Sequence, residues 1–174
     1  SRDDLESLRA ALVERTPDAS FDPDRGILQI SDEVFGNPPD VAGDGRLDVL
    51  LLDIRDNYHP ENRPQFVAGF VDPADLTDRG NQRDVIYLDL RPGLVHHDGT
   101  YRGIEHLEST AAHEYQHLIH MNYDRREMTF VNEGLSEWSE VLHGYDRRPM
   151  GYLNSSDAYN IELLRWRPRG SANV

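Results

Sequence analysis

Two histidines four residues apart enclose a glutamate in the run His113-Glu114-Tyr115-Gln116-His117. On a helix, positions four apart lie on one face about one turn apart, so both imidazoles can address a single ion. Neutral imidazole is a good zinc ligand. Glu114, the next residue round the helix, falls beside the open face of such an ion, where it can take a proton from an attacking water. A chain of 174 residues with 8 His also reaches this pattern by chance on a solvated helix face, so the surroundings decide.

A catalytic zinc needs a third protein ligand and one open position. Downstream, Asn132-Glu133-Gly134-Leu135-Ser136-Glu137 lies in a second helical stretch. Glu133 and Glu137 are four apart and share one side of it. If this helix packs on the first, Glu133 completes a His, His, Glu set. Glu137 then accepts the free ring N–H of a ligand histidine, His113 before His117, and so sets its tautomer and orientation. Standing alone, Glu133, Glu137 and Glu140 also fit a solvated face. A third histidine is the other option for the third ligand. The known pattern places it six residues past the second, after a glycine. Position 123 is Tyr, and no Gly lies between His117 and Asn132. His120 points partly away and belongs to the helix surface or behind the ligands.

The elements that must position these residues read as follows. Residues 2–15 form an amphipathic helix with Leu5, Leu8, Leu12 and Val13 on one face. Residues 27–30 suggest a short strand. The apolar run from Leu47 to Ile54 suits a buried central strand, and Phe66 to Val71 and Val85 to Leu90 are two further strands. From about Gly103 the period becomes helical, with Leu107, Ala111, Tyr115 and Leu118 in one stripe. A second helix spans Thr129 to His143, with Thr129 as its cap and Gly144 as its stop. Residues 157–166 form one more short helix. Strands first and helices later indicate α+β.

Composition narrows the function classes. The net charge is −14, and all 18 basic residues are Arg. Such a surface repels phosphates, which argues against a nucleic-acid partner and against anionic membranes. No window approaches the length of a membrane helix, so membrane insertion is not expected. With no Cys, disulfides and thiolate metal sites are excluded. The mean hydropathy of −0.70 is lean, yet the apolar runs indicate a globular chain. Oligomeric state is not readable.

Three other clusters have chemistry. Asp40-x-x-Gly43-Asp44-Gly45-x-x-Asp48 partly follows a Ca²⁺ loop; the other reading is a tight turn before a strand. His96-His97-Asp98 either lines a cleft and meets a metal, or is a solvated loop. Arg125-Arg126 and Arg147-Arg148 are expected to pair with nearby surface acids; the other reading is recognition of a substrate acid.

His113-Glu114-Tyr115-Gln116-His117 followed by Asn132-Glu133-Gly134-Leu135-Ser136-Glu137 resembles the gluzincin group of zinc peptidases. The Asn-Glu-x-x-Ser-acid segment is similar to the one that carries the glutamate ligand in thermolysin-like enzymes, with Glu137 where they have Asp. The wording is closer still to the hyicolysin-like peptidases, a bacterial secreted group, over about residues 40–145. The resemblance implies a zincin-like fold with a small mixed sheet beside an active-site helix and a glutamate-bearing helix. It implies Zn²⁺ held by His113, His117 and Glu133, with Glu114 as the general base. It also implies a peptide or protein substrate, laid along an edge strand, and a secreted or extracytoplasmic location. A Tyr or His that steadies the oxyanion is implied too; Tyr145, Tyr152, Tyr159 and His143 are the choices.

The expectation is therefore a zinc-dependent endopeptidase. Residues 1–26 are an N-terminal helix and loop, either a pro-segment remnant or a packing helix. Residues 27–174 are a zincin-like catalytic domain, read as truncated at its C-terminus. The alternative is a catalytically incomplete zincin-like binding module that holds a zinc.

Overall fold

The computed structural model describes residues 1–145. The helix expected over 157–166, Tyr152, Tyr159 and the Arg147-Arg148 pair lie outside the described residues. Helix α1 spans Arg2–Val13 and α2 spans Ile27–Phe35. Strands β1 (Leu47–Leu52), β2 (Gly69–Phe70) and β3 (Asp84–Asp89) follow. Then come α3 (Ile104–Tyr123) and α4 (Thr129–Leu142). The order in the sheet is β1-β3-β2, with β1 parallel and β2 antiparallel to β3. This is a mixed α+β arrangement of small sheet and helices, consistent with a zincin-like fold.

Helix α3 is the axis of the molecule. Its Leu107, Ala111, Ala112, Tyr115, Leu118 and Ile119 are all buried. Ile86 and Leu88 of β3 meet this stripe from the sheet side, and Leu8, Ala11 and Leu12 of α1 from the other. The N-terminal helix is thus part of the core. Its start is secured by a capping box between Ser1 and Asp4, which satisfies otherwise orphaned N–H groups.

Several local expectations change. Residues 27–30 begin a helix, not a strand. Extended to Phe35, the segment buries Ile27, Ile30 and Ser31, a helical spacing that a four-residue window cannot show. Among the described strands the central one is β3, and β1 lies at the edge with Leu50 44% exposed. An unbroken apolar run does not distinguish the two positions. The strand expected from Phe66 to Val71 is reduced to Gly69 and Phe70, with the Ala68 carbonyl also accepting the Asp89 N–H at 2.8 Å. Its first part is held instead by Asp56, whose carboxylate accepts the Val67 N–H at 2.6 Å. Thr129 is the first helical residue of α4, and the cap position belongs to Met128.

Two buried acids tie the loops to the sheet. Asp89, at the end of β3, accepts the N–H groups of Ile54 and Gly93, each at 2.8 Å. Burial still raises its pKa, against those backbone bonds. Asp84, at the other end, accepts the N–H groups of Asp40 at 2.8 Å and Val41 at 3.1 Å. Gly144 has φ 78°, a left-handed conformation that ends α4 as glycine does.

Candidate metal centre

Helices α3 and α4 pack side by side, running in opposite directions. Ser136 meets Gln116 and His117, while Ser139 reaches back to the carbonyl of Ala112 at 3.0 Å. A step forward along α4 is therefore a step backward along α3. This geometry brings His113, His117 and Glu133 together. The Nε2 atoms of the two histidines are 3.1 Å apart. Glu133 Oε2 is 3.5 Å from His113 Nε2, and Oε1 is 3.8 Å from His117 Nε2. Among the described residues this is the His, Asp and Glu group with ligand atoms close enough to hold a metal.

The spacing fits zinc. Tetrahedral bonds of about 2.0–2.1 Å place ligand atoms roughly 3.3–3.4 Å from one another, and the three distances bracket that value. The ring nitrogens also face the right way. His117 Nδ1 is engaged by Asn132 Oδ1 at 3.1 Å and by Ser136 Oγ at 3.0 Å. The Ser136 hydroxyl donates to Gln116 Oε1, so its oxygen accepts from the imidazole. His113 Nδ1 is 2.7 Å from Glu140 Oε1. Glu140 Oε2 in turn accepts the Ser109 hydroxyl at 2.8 Å. With both Nδ1–H groups engaged, both Nε2 lone pairs are left for an ion.

The partner of His113 is thus Glu140, not Glu137. Antiparallel packing explains the correction. His117 is served by Ser136, and His113 lies four residues earlier, so its partner lies four residues later. Glu140 is also closer in angle to Glu133 than Glu137 is, because seven residues nearly complete two turns. Glu137 remains on the wall of the cleft.

Charge follows this layout. Burial works against a protonated His113, but the hydrogen bonds of Glu133 and Glu140 outweigh it and raise its pKa to about 9. His117 is lowered, by burial first and by the charge of His113 next. Glu114 is raised to about 7 by burial, which the positive charge on His113 only partly offsets.

A cleft of about 1060 Å³ opens over these residues, and Ala68, Gly69, Phe70 and Val71 form its edge-strand side. Gly69 is a residue that the sequence did not single out. A Cβ at that position would lie 2.7 Å from Thr110 Cγ2 and 3.0 Å from Glu114 Cγ. Glycine lets β2 sit directly against the part of α3 that carries the glutamate. Near glycines in an edge strand, such close approach is the usual reason.

The other expected residues are placed as follows. His120 is outside the three-residue group. His143 is fully buried, with Nδ1 2.7 Å from the carbonyl of Ser139 and Nε2 3.2 Å from both Ser31 Oγ and the carbonyl of Ile27. It joins α4 to α2 and takes no part in the cleft. Tyr145 does line the cleft, and its buried hydroxyl has no hydrogen-bond partner among the described residues. In the 40–48 loop, Arg83 pairs with two of the acids, Nε with Asp48 at 2.5 Å and Nη2 with Asp44 at 3.1 Å. Asp98 accepts the Thr100 N–H, and His96 Nδ1 lies 3.3 Å from Arg102 Nη2. Arg125 and Arg126 make no ion pair among the described residues; Arg125 Nε donates to the carbonyl of Met121, and so closes the end of α3.

No protein-family model matches the chain. Over 161 residues it is 31% identical to the neutral metalloprotease ShpI of Staphylococcus hyicus, an alignment that covers 84% of this chain and 36% of the relative. The chain thus spans about a third of the length of that curated relative. The similarity relates it to a metallopeptidase.

Proposed function

We propose that this metallopeptidase relative is a zinc-dependent endopeptidase in which His113, His117 and Glu133 hold the metal and Glu114 is the general base. The observation that carries the reading is the convergence of two Nε2 atoms and one carboxylate within 3.1–3.8 Å, beside a buried glutamate and under an open cleft. A structural site has no use for such a glutamate.

When bound, zinc acts as a Lewis acid that acidifies a water and polarises the scissile carbonyl. The chain's own residues do the rest. Glu140 and the Asn132–Ser136 pair hold the imidazoles in the ligating tautomer. Glu114, with a pKa near neutrality, accepts a proton from the attacking water and passes it to the leaving amine. The edge of β2 offers backbone groups to which an extended peptide can pair. A glutamate as third ligand is the gluzincin arrangement, and secretion belongs to the same reading through the hyicolysin-like resemblance. No helix among the described residues is long and apolar enough to cross a membrane.

The test uses casein hydrolysis and zinc stoichiometry together. Glu114→Gln keeps zinc and loses chelator-sensitive cleavage. His117→Ala and Glu133→Ala lose the zinc itself. Full zinc stoichiometry in both ligand variants would sink the assignment. Zinc retention without any cleavage by the unaltered chain would favour the binding-module alternative.

A further inference from the structure

The geometry points to the corner formed by Arg102, Phe66 and His106 as a subsite for a substrate carboxylate about three residues from the scissile bond. This rests on the peptidase reading of the same cleft. The cleft runs along one face of α3. His106, His113 and His117 share a stripe, since steps of seven and four return to nearly the same side. All three line the cleft, as do Arg102 and Phe66. Beyond the metal-binding residues the cleft continues to the start of α3.

Two rulers agree on the distance. From His113 back to His106 is seven residues, or about 10 Å of helix. From Gly69, which faces Glu114, back to Phe66 is three residues, or about 10 Å of extended chain. An extended peptide covers that span in about three residues.

Arg102 is oriented before any ligand arrives. Its Nε donates to the carbonyl of Pro92 at 3.0 Å, and Nη2 lies 3.3 Å from His96 Nδ1. Its guanidinium sits 5.1 Å from the centre of the Phe66 ring. Phe66 is in turn braced edge-on by His106 and by Tyr58, at 6.1 and 6.0 Å between ring centres. The loop that carries Phe66 is fixed by Asp56 through Val67. A guanidinium stacked and anchored in this way loses little freedom on meeting a carboxylate. Among the described residues it has no carboxylate partner of its own within 4.0 Å, although the chain holds 32 acids. Glu105, the nearest acid in sequence, is exposed on the cleft wall and makes no ion pair with it. Among the described residues Arg102 is the one arginine on that wall, where the other carboxylate and guanidinium groups are glutamates. A carboxylate is therefore welcome at this end and repelled at the Glu133–Glu137–Glu140 side.

The carboxylate can come from an Asp or Glu side chain or from a substrate C-terminus, and the experiment separates them. Zinc-loaded full-length Glu114→Gln protein is titrated with fluorescent peptides, read by anisotropy. One set is C-terminally amidated and carries a single internal Glu, Gln or Lys; another has neutral side chains and a free C-terminus. Binding about tenfold tighter for the internal Glu, or for the free C-terminus, over its neutral counterpart is expected from one charge-assisted contact. The preference disappears in Arg102→Gln and turns towards Lys in Arg102→Glu, while unchanged zinc stoichiometry reports an intact fold. Cleavage sites of the unaltered chain, mapped by mass spectrometry, show the acid enriched about three residues from the bond. Equal binding of all peptides, or a preference unmoved by both Arg102 variants, overturns the inference. Acid-selective binding with no cleavage overturns the peptidase reading and leaves the subsite standing. Cleavage without acid selectivity does the reverse.

Discussion

His113 Nδ1 and Glu140 Oε1 lie 2.7 Å apart, across the interface between two antiparallel helices. Glu140 is held in place by the Ser109 hydroxyl on its second oxygen. A carboxylate that fixes the far nitrogen of a ligand imidazole sets its tautomer and strengthens its lone pair. Its loss costs metal affinity by about 10–100-fold. Glu140→Gln is expected to weaken zinc binding by that range, and Glu137→Gln to weaken it less. Competition against a coloured chelator measures both. An equal loss in the two variants would return the role to Glu137.

Gly69 predicts a second effect. An alanine there places a methyl 2.7 Å from Thr110 and 3.0 Å from Glu114, so β2 or α3 must shift. Overpacking of this kind costs about 1–3 kcal/mol, which thermal melts will show. Gly69→Ala should also lower kcat/KM more than tenfold, because small displacements of catalytic groups cost that much or more. An active, fully stable alanine variant would mean that β2 moves away freely.

Metal removal should change how stability depends on pH. Without metal, His113 has a pKa of about 9, against roughly 6.5 in an unfolded chain. A raised pKa in the folded state stabilises fully below the unfolded value, and the gain is lost as pH rises through the folded one. Chelator-treated protein should therefore melt at a lower temperature at pH 9 than at pH 7. Zinc affinity should climb over the same window, since the imidazole must shed its proton to bind. Melts with and without chelator at pH 7, 8 and 9 test this. Parallel curves would show that His113 is not charged in the metal-free fold.

What was legible in the sequence was what depends on local spacing. His113, His117 and Glu133 converge because two short periodic motifs sit on two helices, of which the first was readable from its apolar stripe and the second from its bounding residues. The relative direction and register of the helices were not readable. Glu140 could be placed only once Ser136 was seen opposite His117. Gly69 was invisible for a similar reason, since the need for a missing side chain appears only when β2 lies on Thr110 and Glu114. Strand length misled where side chains replaced the ladder, as Asp56 does for Val67. In the 40–48 loop, Arg83, thirty-five residues past Asp48, pairs with Asp48 and Asp44, a contact that spacing within the loop cannot show.

His143 gives the last expectation, far from the metal residues. It is fully buried, and burial holds its pKa below the usual histidine value despite two facing carbonyls. In the neutral ring, Nδ1–H donates to the Ser139 carbonyl and Nε2 accepts the Ser31 hydroxyl. A histidine lowered in the folded state binds protons more readily when unfolded. Its contribution is therefore complete above about pH 6.5 and is lost as pH falls below that value. The protein should lose stability on acidification from pH 6.5 to 5, and His143→Ala should flatten part of that slope. The same variant opens a cavity and strands the Ser31 hydroxyl and two carbonyls, a cost of about 2–4 kcal/mol. Zinc stoichiometry at neutral pH should stay unchanged, because His143 touches α2 and not the cleft. Urea unfolding of both proteins across this pH range, with zinc measured at pH 7.5, decides the matter. Lost zinc in a folded His143→Ala protein would show that this joint between α2 and α4 also sets the position of Glu133.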